Sequence, residues 1–371
     1  MRITKNMMMS TVQMNMNRVQ RQLFKHQIQI ASNKRILAPS DDPIGTSKAL
    51  SARTSLAKNE QFQRNLNQAS SWLMITDSTM TQVHELLSDI QLIATKGATD
   101  TFTSDERNGL AKEVTQHLEL LVHYSEAEFD GRYIFGGVNT KSTPFETTNG
   151  VTDESFTAQF DQPVELDNVH LKNSTVNVTS NDGLTQYAEG TDYTIDTEDG
   201  TITALSTGSM VDGQSYLIDY DTSSIISVTE NSNGISGDIN RQISENLTMK
   251  INVSGNEVFT DEINMFNILI DLRKNLERDN LEGIQQAIGD LQTGMDHISG
   301  LNGEVGAKMS QIDVTTEFLE NEAVFLDDFR ATEEEIDIAE AMMKYQAFDV
   351  AYEATIATST KILKNSIVGY I

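Results

Sequence analysis

Cysteine is missing from this chain of 371 residues, proline occurs four times and tryptophan once. Without cysteine there can be no disulfide, no thiolate metal site and no thiol nucleophile. So little proline leaves long helices uninterrupted, since proline removes a backbone donor and clashes with the preceding turn. Nowhere does the sequence hold the roughly 18 consecutive apolar residues of a membrane-spanning helix, so no membrane insertion is expected. Basic charge is short as well: 27 Lys and Arg stand against 55 Asp and Glu, giving a net charge of −28 and a pI near 4.4. That balance argues against nucleic acid as a partner, because phosphate recognition needs a basic surface. The opening Met1-Arg-Ile-Thr-Lys-Asn-Met-Met-Met-Ser10 has neither a continuous apolar stretch nor a small-residue cleavage site. Any export is therefore expected to use a route other than a cleaved secretory signal.

Signatures of catalysis are also missing. There is no nucleophile elbow, phosphate-binding glycine loop or dinucleotide fingerprint. His84-Glu-Leu-Leu-Ser88 begins like a helical zinc-protease motif, yet Ser88 stands where the second histidine is needed to complete a chelate. Asp192, Asp196, Glu198 and Asp199 do not follow the alternating calcium-loop pattern and read as turn chemistry on an acidic surface. The chain is read as non-enzymatic, with no cofactor and no metal.

What the sequence has in abundance is helical periodicity. Val12, Met16, Val19, Leu23, His26 and Ile30 step by four and three. Leu66, Ala69, Leu73, Thr76, Met80, Val83, Leu87, Ile90 and Ala94 continue that alternation as the seam of helices packed side by side, with Gly97 as a stop. Thr103-Ser-Asp-Glu106 reads as a capping box opening a further helix through Leu110, Val114, Leu118 and Leu121. Between the first two seams, Pro39, Pro43 and Gly45 concentrate in an ordered connector. Ser40 or Asp41 is expected to cap the next helix, with Pro43 in its first turn.

Over 142–260 the pattern shifts toward period two. Phe156 to Phe160, Val176 to Val178, Tyr193 to Ile195, Ile202 and Tyr216 to Tyr220 form β-rich runs parted by Asn-, Asp- and Gly-rich turns. Asp196-Thr-Glu-Asp-Gly200 between two such runs predicts a hairpin. Helical steps return from Leu281 to Leu326. Gly300, Gly303 and Gly306 lie within that span and call for close packing or a bend to offset about 1 kcal/mol each. A final segment carries Ile338, Met342, Tyr345, Phe348, Tyr352, Ile356, Leu363 and Ile367.

These patterns give an α+β fold: a long antiparallel helical bundle or coiled coil built from both chain ends, with an inserted β-rich domain. Three parts are expected: terminal helices at 1–40 with 330–371, a helical bundle at 41–141 with 261–329, and the insertion at 142–260. Bases such as Lys34, Arg35, Lys48 and Arg53 crowd the early chain, whereas Glu317 to Glu340 is acidic save for Arg330. Exposed pairs contribute at most about 1 kcal/mol each, so such charges set pairing and register more than stability. The outermost segments are rich in Gln, Asn, Met and small residues, and isolated helices are marginal in water. They are expected to order against neighbouring subunits, coupling folding to assembly. The expected assembly interface is Val12, Met16, Val19, Leu23 and Ile30 with Ile338, Met342, Tyr345, Tyr352, Ile356, Leu363 and Ile367. Met7-Met-Met9, Met14 and Met16 read either as an adaptable contact surface or as plain helix packing.

The stretch Ala31-Ser-Asn-Lys-Arg-Ile-Leu-Ala-Pro-Ser-Asp-Asp-Pro-Ile-Gly45 resembles the connector of the flagellin superfamily, with Arg35, Asp41, Asp42 and Gly45 at its motif positions. Gly303 to Lys308, Glu335 to Ala341 and Ala351 to Leu363 resemble its C-terminal pattern. The start at Met1 and the segment Gly131 to Phe145 resemble the superfamily's hook–filament junction branch more than its filament subunits. Phe135, Gly136, Gly137, Pro144 and Phe145 hold the motif positions of that segment. The resemblance implies a secreted structural subunit of the bacterial flagellum whose terminal helices line a polymer and whose insertion faces solvent. It also implies its partners: the first hook-associated protein, flagellin, copies of itself, and an export chaperone during passage through the flagellar type III channel. A flagellin-type filament subunit is the alternative within the superfamily. A surface adhesin or carbohydrate-binding module on the β insertion is the alternative outside it.

Overall fold

The computed structural model describes the backbone of residues 5–368 and the side chains of residues 7–361. Seven helices are described: α1 (Lys5–Ser32), α2 (Pro43–Gly97), α3 (Ser104–Ser125), α4 (Gly255–Phe259), α5 (Met265–Glu277), α6 (Leu281–Glu334) and α7 (Ile338–Val368). Between α3 and α4 the chain is almost wholly strand and turn, confirming the α+β class with helical ends around a β-rich middle. Two compact units divide it: residues 1–64 with 315–371, and residues 65–314. The two long helices α2 and α6 each supply residues to both.

In the unit 65–314, the seam on α2 is fully buried at Leu66, Ala69, Leu73, Thr76, Met80, Val83, Ile90 and Ala94. On α6, Ile284, Leu291, Ile298 and Val305 are equally buried. Gln91 donates to the Ile288 carbonyl (3.4 Å) and the Gln292 side chain (3.2 Å), while Leu87 lies against Gly294 and Gly97 near Ile284, so the two helices run antiparallel here. The helix α2 ends at Gly97. At the start of α3, Thr103 accepts from the Glu106 N–H while Glu106 accepts from the Thr103 N–H, a complete capping box. The glycines 300, 303 and 306 lie inside α6 without close packing around them. The helix continues through them as one element, and a Cβ built at any of the three meets nothing within 4 Å. Among the described residues no close neighbour explains them.

The insertion has a core of its own. Its largest sheet aligns Gly150–Thr157, Ser215–Asp221, Asn177–Ser180 and Gln186–Tyr187, all antiparallel. Phe156, Val178, Tyr216, Ile218 and Tyr220 turn inward toward Tyr193 and Ile202 of a second, three-stranded sheet. The predicted hairpin forms: Tyr193–Asp196 pairs with Thr201–Ala204. Asp196 accepts from the Glu198 and Asp199 N–H groups, and Asp192 from those of Ala188 and Ser209. These carboxylates thus serve the turns. The run at Phe156 stops as strand at Thr157, where Phe160 donates its N–H to Asp212 and Asp161 adopts a positive φ of 53°.

Candidate assembly site

The basic start and acidic tail of the chain meet in the unit formed by 1–64 and 315–371. Helix α1 runs along α7, and the connector between α1 and α2 closes on the break between α6 and α7. Backbone bonds fasten that closure: Arg35 N–H donates to the Glu334 carbonyl at 2.7 Å, and Lys34 bridges antiparallel to Glu335. Gln29, buried near the end of α1, holds the turn by donating to the Arg35 carbonyl at 2.6 Å.

Charge completes the clamp. Glu334 is only 4% exposed and receives Lys34 at 2.9 Å together with the Arg53 guanidinium. Burial alone pushes its carboxyl upward, but the hydrogen bonds from Lys34 and Arg53 outweigh that and hold it below the ordinary glutamate range. Lys48 reaches Glu333 at 2.8 Å. Lys25 binds Asp41 at 2.6 Å, which with the Leu37 and Ala38 N–H groups keeps the Asp41 carboxyl low.

The paired aspartates divide their work differently from the expected pattern. Asp42, not Ser40 or Asp41, caps α2: its carboxylate accepts the Gly45 N–H at 2.9 Å and the Arg35 guanidinium at 3.1 Å, which lowers its pKa. Asp41 instead closes the turn before it. Pro43 occupies the first helical position, where no donor is lost. A Cβ at Gly45 would sit 2.6 Å from an Asp42 oxygen and 2.8 Å from the Ile36 side chain, so a larger residue here would have to displace the capping carboxylate or Ile36.

On α1, Val12, Met16, Val19, Leu23 and Ile30 are half-buried on the side of α7, and His26 stacks on Phe348 at 5.3 Å. On α7 the expected set divides. Tyr345 and Tyr352 are half-buried with Phe348, while Ile338, Met342 and Ile356 remain exposed because α1 covers a neighbouring arc that includes buried Ala341. Met1 to Thr4 and the side chains of Leu363 and Ile367 lie outside the described residues. Glu334 and Gln29 were not singled out in the sequence. The one available signal was Lys34-Arg35 set against the acidic run Glu333 to Glu335.

The second motif segment lies in the unit 65–314. Phe135 and Phe145 meet Phe259 edge-on at 5.3 and 5.7 Å, and Phe145 meets Phe266 at 4.9 Å. The Pro144 carbonyl accepts from Asn231, and that of Phe135 from Gly255. Gly137 has φ of 57°, and a Cβ there would lie 2.4 Å from the Ile235 carbonyl oxygen, so glycine alone permits this close approach of two backbone segments. Among the described residues, no three His, Cys, Asp or Glu side chains are grouped to hold a metal ion.

Several known proteins resemble parts of this chain. Residues 3–140 match the bacterial flagellin N-terminal helical region, and residues 94–232 match a family of proteins of unknown function. The flagellar hook-associated protein 3 of Escherichia coli K12 is 27% identical over 151 residues, which is 40% of this chain and 48% of that protein. The chain thus matches about half the length of that relative. The flagellin of Salmonella paratyphi A is 24% identical over 219 residues, 58% of this chain and 44% of its own. A solved Vibrio parahaemolyticus protein, provisionally described as flagellar hook-associated, superposes with a TM-score of 0.52 at 16% identity, covering 80% of this chain and all of that one. That likeness shows a shared fold.

Proposed function

We propose that this chain, homologous to flagellar hook-associated protein 3 and beginning with the flagellin N-terminal helical region, is a structural subunit that joins flagellar hook to filament. Its work is mechanical: 1–40 with 330–371 form the assembly part, 41–141 with 261–329 a supporting bundle, and 142–260 a solvent-facing insertion. The observation that carries this reading is the pairing of α1 with α7, which buries one side of each helix and leaves Met7, Met14, Phe24, Ile28, Ile338, Met342, Met343 and Val350 exposed on the same pair. So much exposed apolar surface on two helices marks a surface meant to be covered. The partners this reading assigns are the first hook-associated protein below, flagellin above and copies of the chain alongside. Export runs through the flagellar type III channel under a chaperone's protection, and the mature location is the extracellular hook–filament junction.

Deleting the gene tests the reading. Hooks without filaments, with flagellin released unassembled into the medium, is the expected result. Loss of flagellin itself from cells and medium would mark the chain as the filament subunit instead, and unchanged filaments would overturn both.

A further inference from the structure

The α1–α7 pair leaves two helix faces uncovered whose charges are opposite. At about 3.6 residues per turn, the α1 residues that meet α7 span roughly 80° of arc, and Met7, Met14, Arg18, Arg21 and Ile28 span a similar arc on the far side. That far side is in solvent, with Met7 61% and Met14 63% exposed. Arg18 and Arg21 are exposed and make no ion pair among the described residues; Arg21 only turns onto the Asn17 carbonyl of its own helix. On α7, Asp349 and Glu353 share a face with exposed Met342 and Ile356, and they too are exposed without an ion pair among the described residues. By contrast, Lys25 pairs with Asp41, and Lys344 pairs with Glu340 at 2.6 Å.

We propose that the far side of α1 docks on the Asp349–Glu353 face of α7 in a neighbouring copy of this chain, with Arg21 set against Glu353 and with Arg18 and Asp349 each within about one turn of that pair. The inference rests on the assembly reading above and adds which faces meet and why. The His26–Phe348 stack and the Lys34–Glu335 bridge fix α1 and α7 antiparallel. Counting equal rise from the stack, Arg21 lies level with Glu353. A copy set alongside at the same height brings Arg21 to Glu353, with Met14 and Ile28 within about one turn of Ile356 and Met342. The apolar groups supply the attraction, while the charges select partner and register. The two arginines repel an α1–α1 pairing, and the two carboxylates repel an α7–α7 pairing. Each copy carries both halves of the contact, so copies add head to tail into a ring or a helical array rather than stopping at a dimer.

The absence of cysteine makes the test unambiguous. R21C and E353C chains are expressed together in flagellated cells and treated with a short bis-maleimide cross-linker. A two-chain species is expected from the mixture and from neither variant alone. Its absence while junctions and motility are normal overturns the pairing and leaves the assembly reading standing. Absence of the chain itself from purified flagella overturns the assembly reading, and the pairing with it. Independently, R21E or E353R alone is expected to lower junction occupancy at least tenfold, with R21E/E353R together restoring it. Both exposed sites leave the subunit folded. A double reversal no better than the single ones overturns the proposal.

Discussion

The seam at residues 66–94 and the seam that joins α1 to α7 obey the same spacing and bury very different amounts. Along α2 every seam residue is shielded, with Leu66, Leu73, Met80, Val83 and Ile90 fully buried. Along α1 the corresponding positions are half-buried, and exposed methionines begin on the opposite side. One seam has its partners within its own unit, and the other is met by a single helix. Periodicity alone therefore marks a contact face without saying how many neighbours will cover the rest of the helix.

The largest expected effect breaks the comparison at its core. Leu87→Ala removes a nearly fully buried side chain and is expected to cost about 2–5 kcal/mol in urea-induced unfolding. Leu23→Ala on half-buried α1 is expected to cost under about 1 kcal/mol in the isolated subunit, because much of that side chain is already in water. Its effect should appear in assembly, as lost filament attachment. Equal destabilisation by the two would mean that the α1–α7 pair is as complete a core as the inner seam.

A smaller effect sharpens how rigidly the inner unit is fixed where its helices give way to strands. Gly137→Ala must place a methyl group against the Ile235 carbonyl at positive φ, at a cost of about 2–3 kcal/mol. Gly213→Ala has the same sign of φ but open space around it, so only the conformational part, on the order of 1 kcal/mol, is expected. Thermal melts of the two variants side by side separate crowding from backbone strain.

The β hairpin, the capping box and both inner seams were legible because burial there follows directly from local spacing. The clamp was harder to read. Asp41 and Asp42 carry identical side chains, and only the backbone path through Pro43 decides which of them faces the Gly45 N–H. Glu334 sits in a run of three glutamates that reads as a solvated face, yet its partners Lys34 and Arg53 come from the other end of the chain. The exposure of Ile338, Met342 and Ile356 was likewise hidden, since an apolar residue at the right step reads the same whether its cover is internal or supplied by another copy.

Acid should act on the clamp before it acts on the inner seam. Glu334, Asp41 and Asp42 all have lowered pKa values in the folded chain. Their contribution is therefore present above the unfolded carboxylate range of about 3.9–4.3 and is lost as pH falls through the lower folded values. Limited proteolysis of the connector at residues 33–42 is expected to accelerate between about pH 5 and pH 3, with the 66–94 seam still protected. Glu334→Gln should loosen the connector already at pH 7, by on the order of 1 kcal/mol, and flatten its acid dependence. A connector equally protected at both pH values would show that the backbone bonds to Glu334 hold it unaided.

The smallest effect has the opposite sign. Gly303 lies in the exposed part of α6, and a Cβ there meets nothing within 4 Å. In a single subunit Gly303→Ala should therefore stabilise, by about 0.5–1 kcal/mol, since glycine inside a helix carries an entropic penalty that alanine avoids. If the glycine serves an approach between copies instead, the same variant should melt higher and yet assemble poorly, because the added methyl group blocks a neighbouring helix. A variant that both melts higher and assembles normally would leave Gly303 without an assembly role.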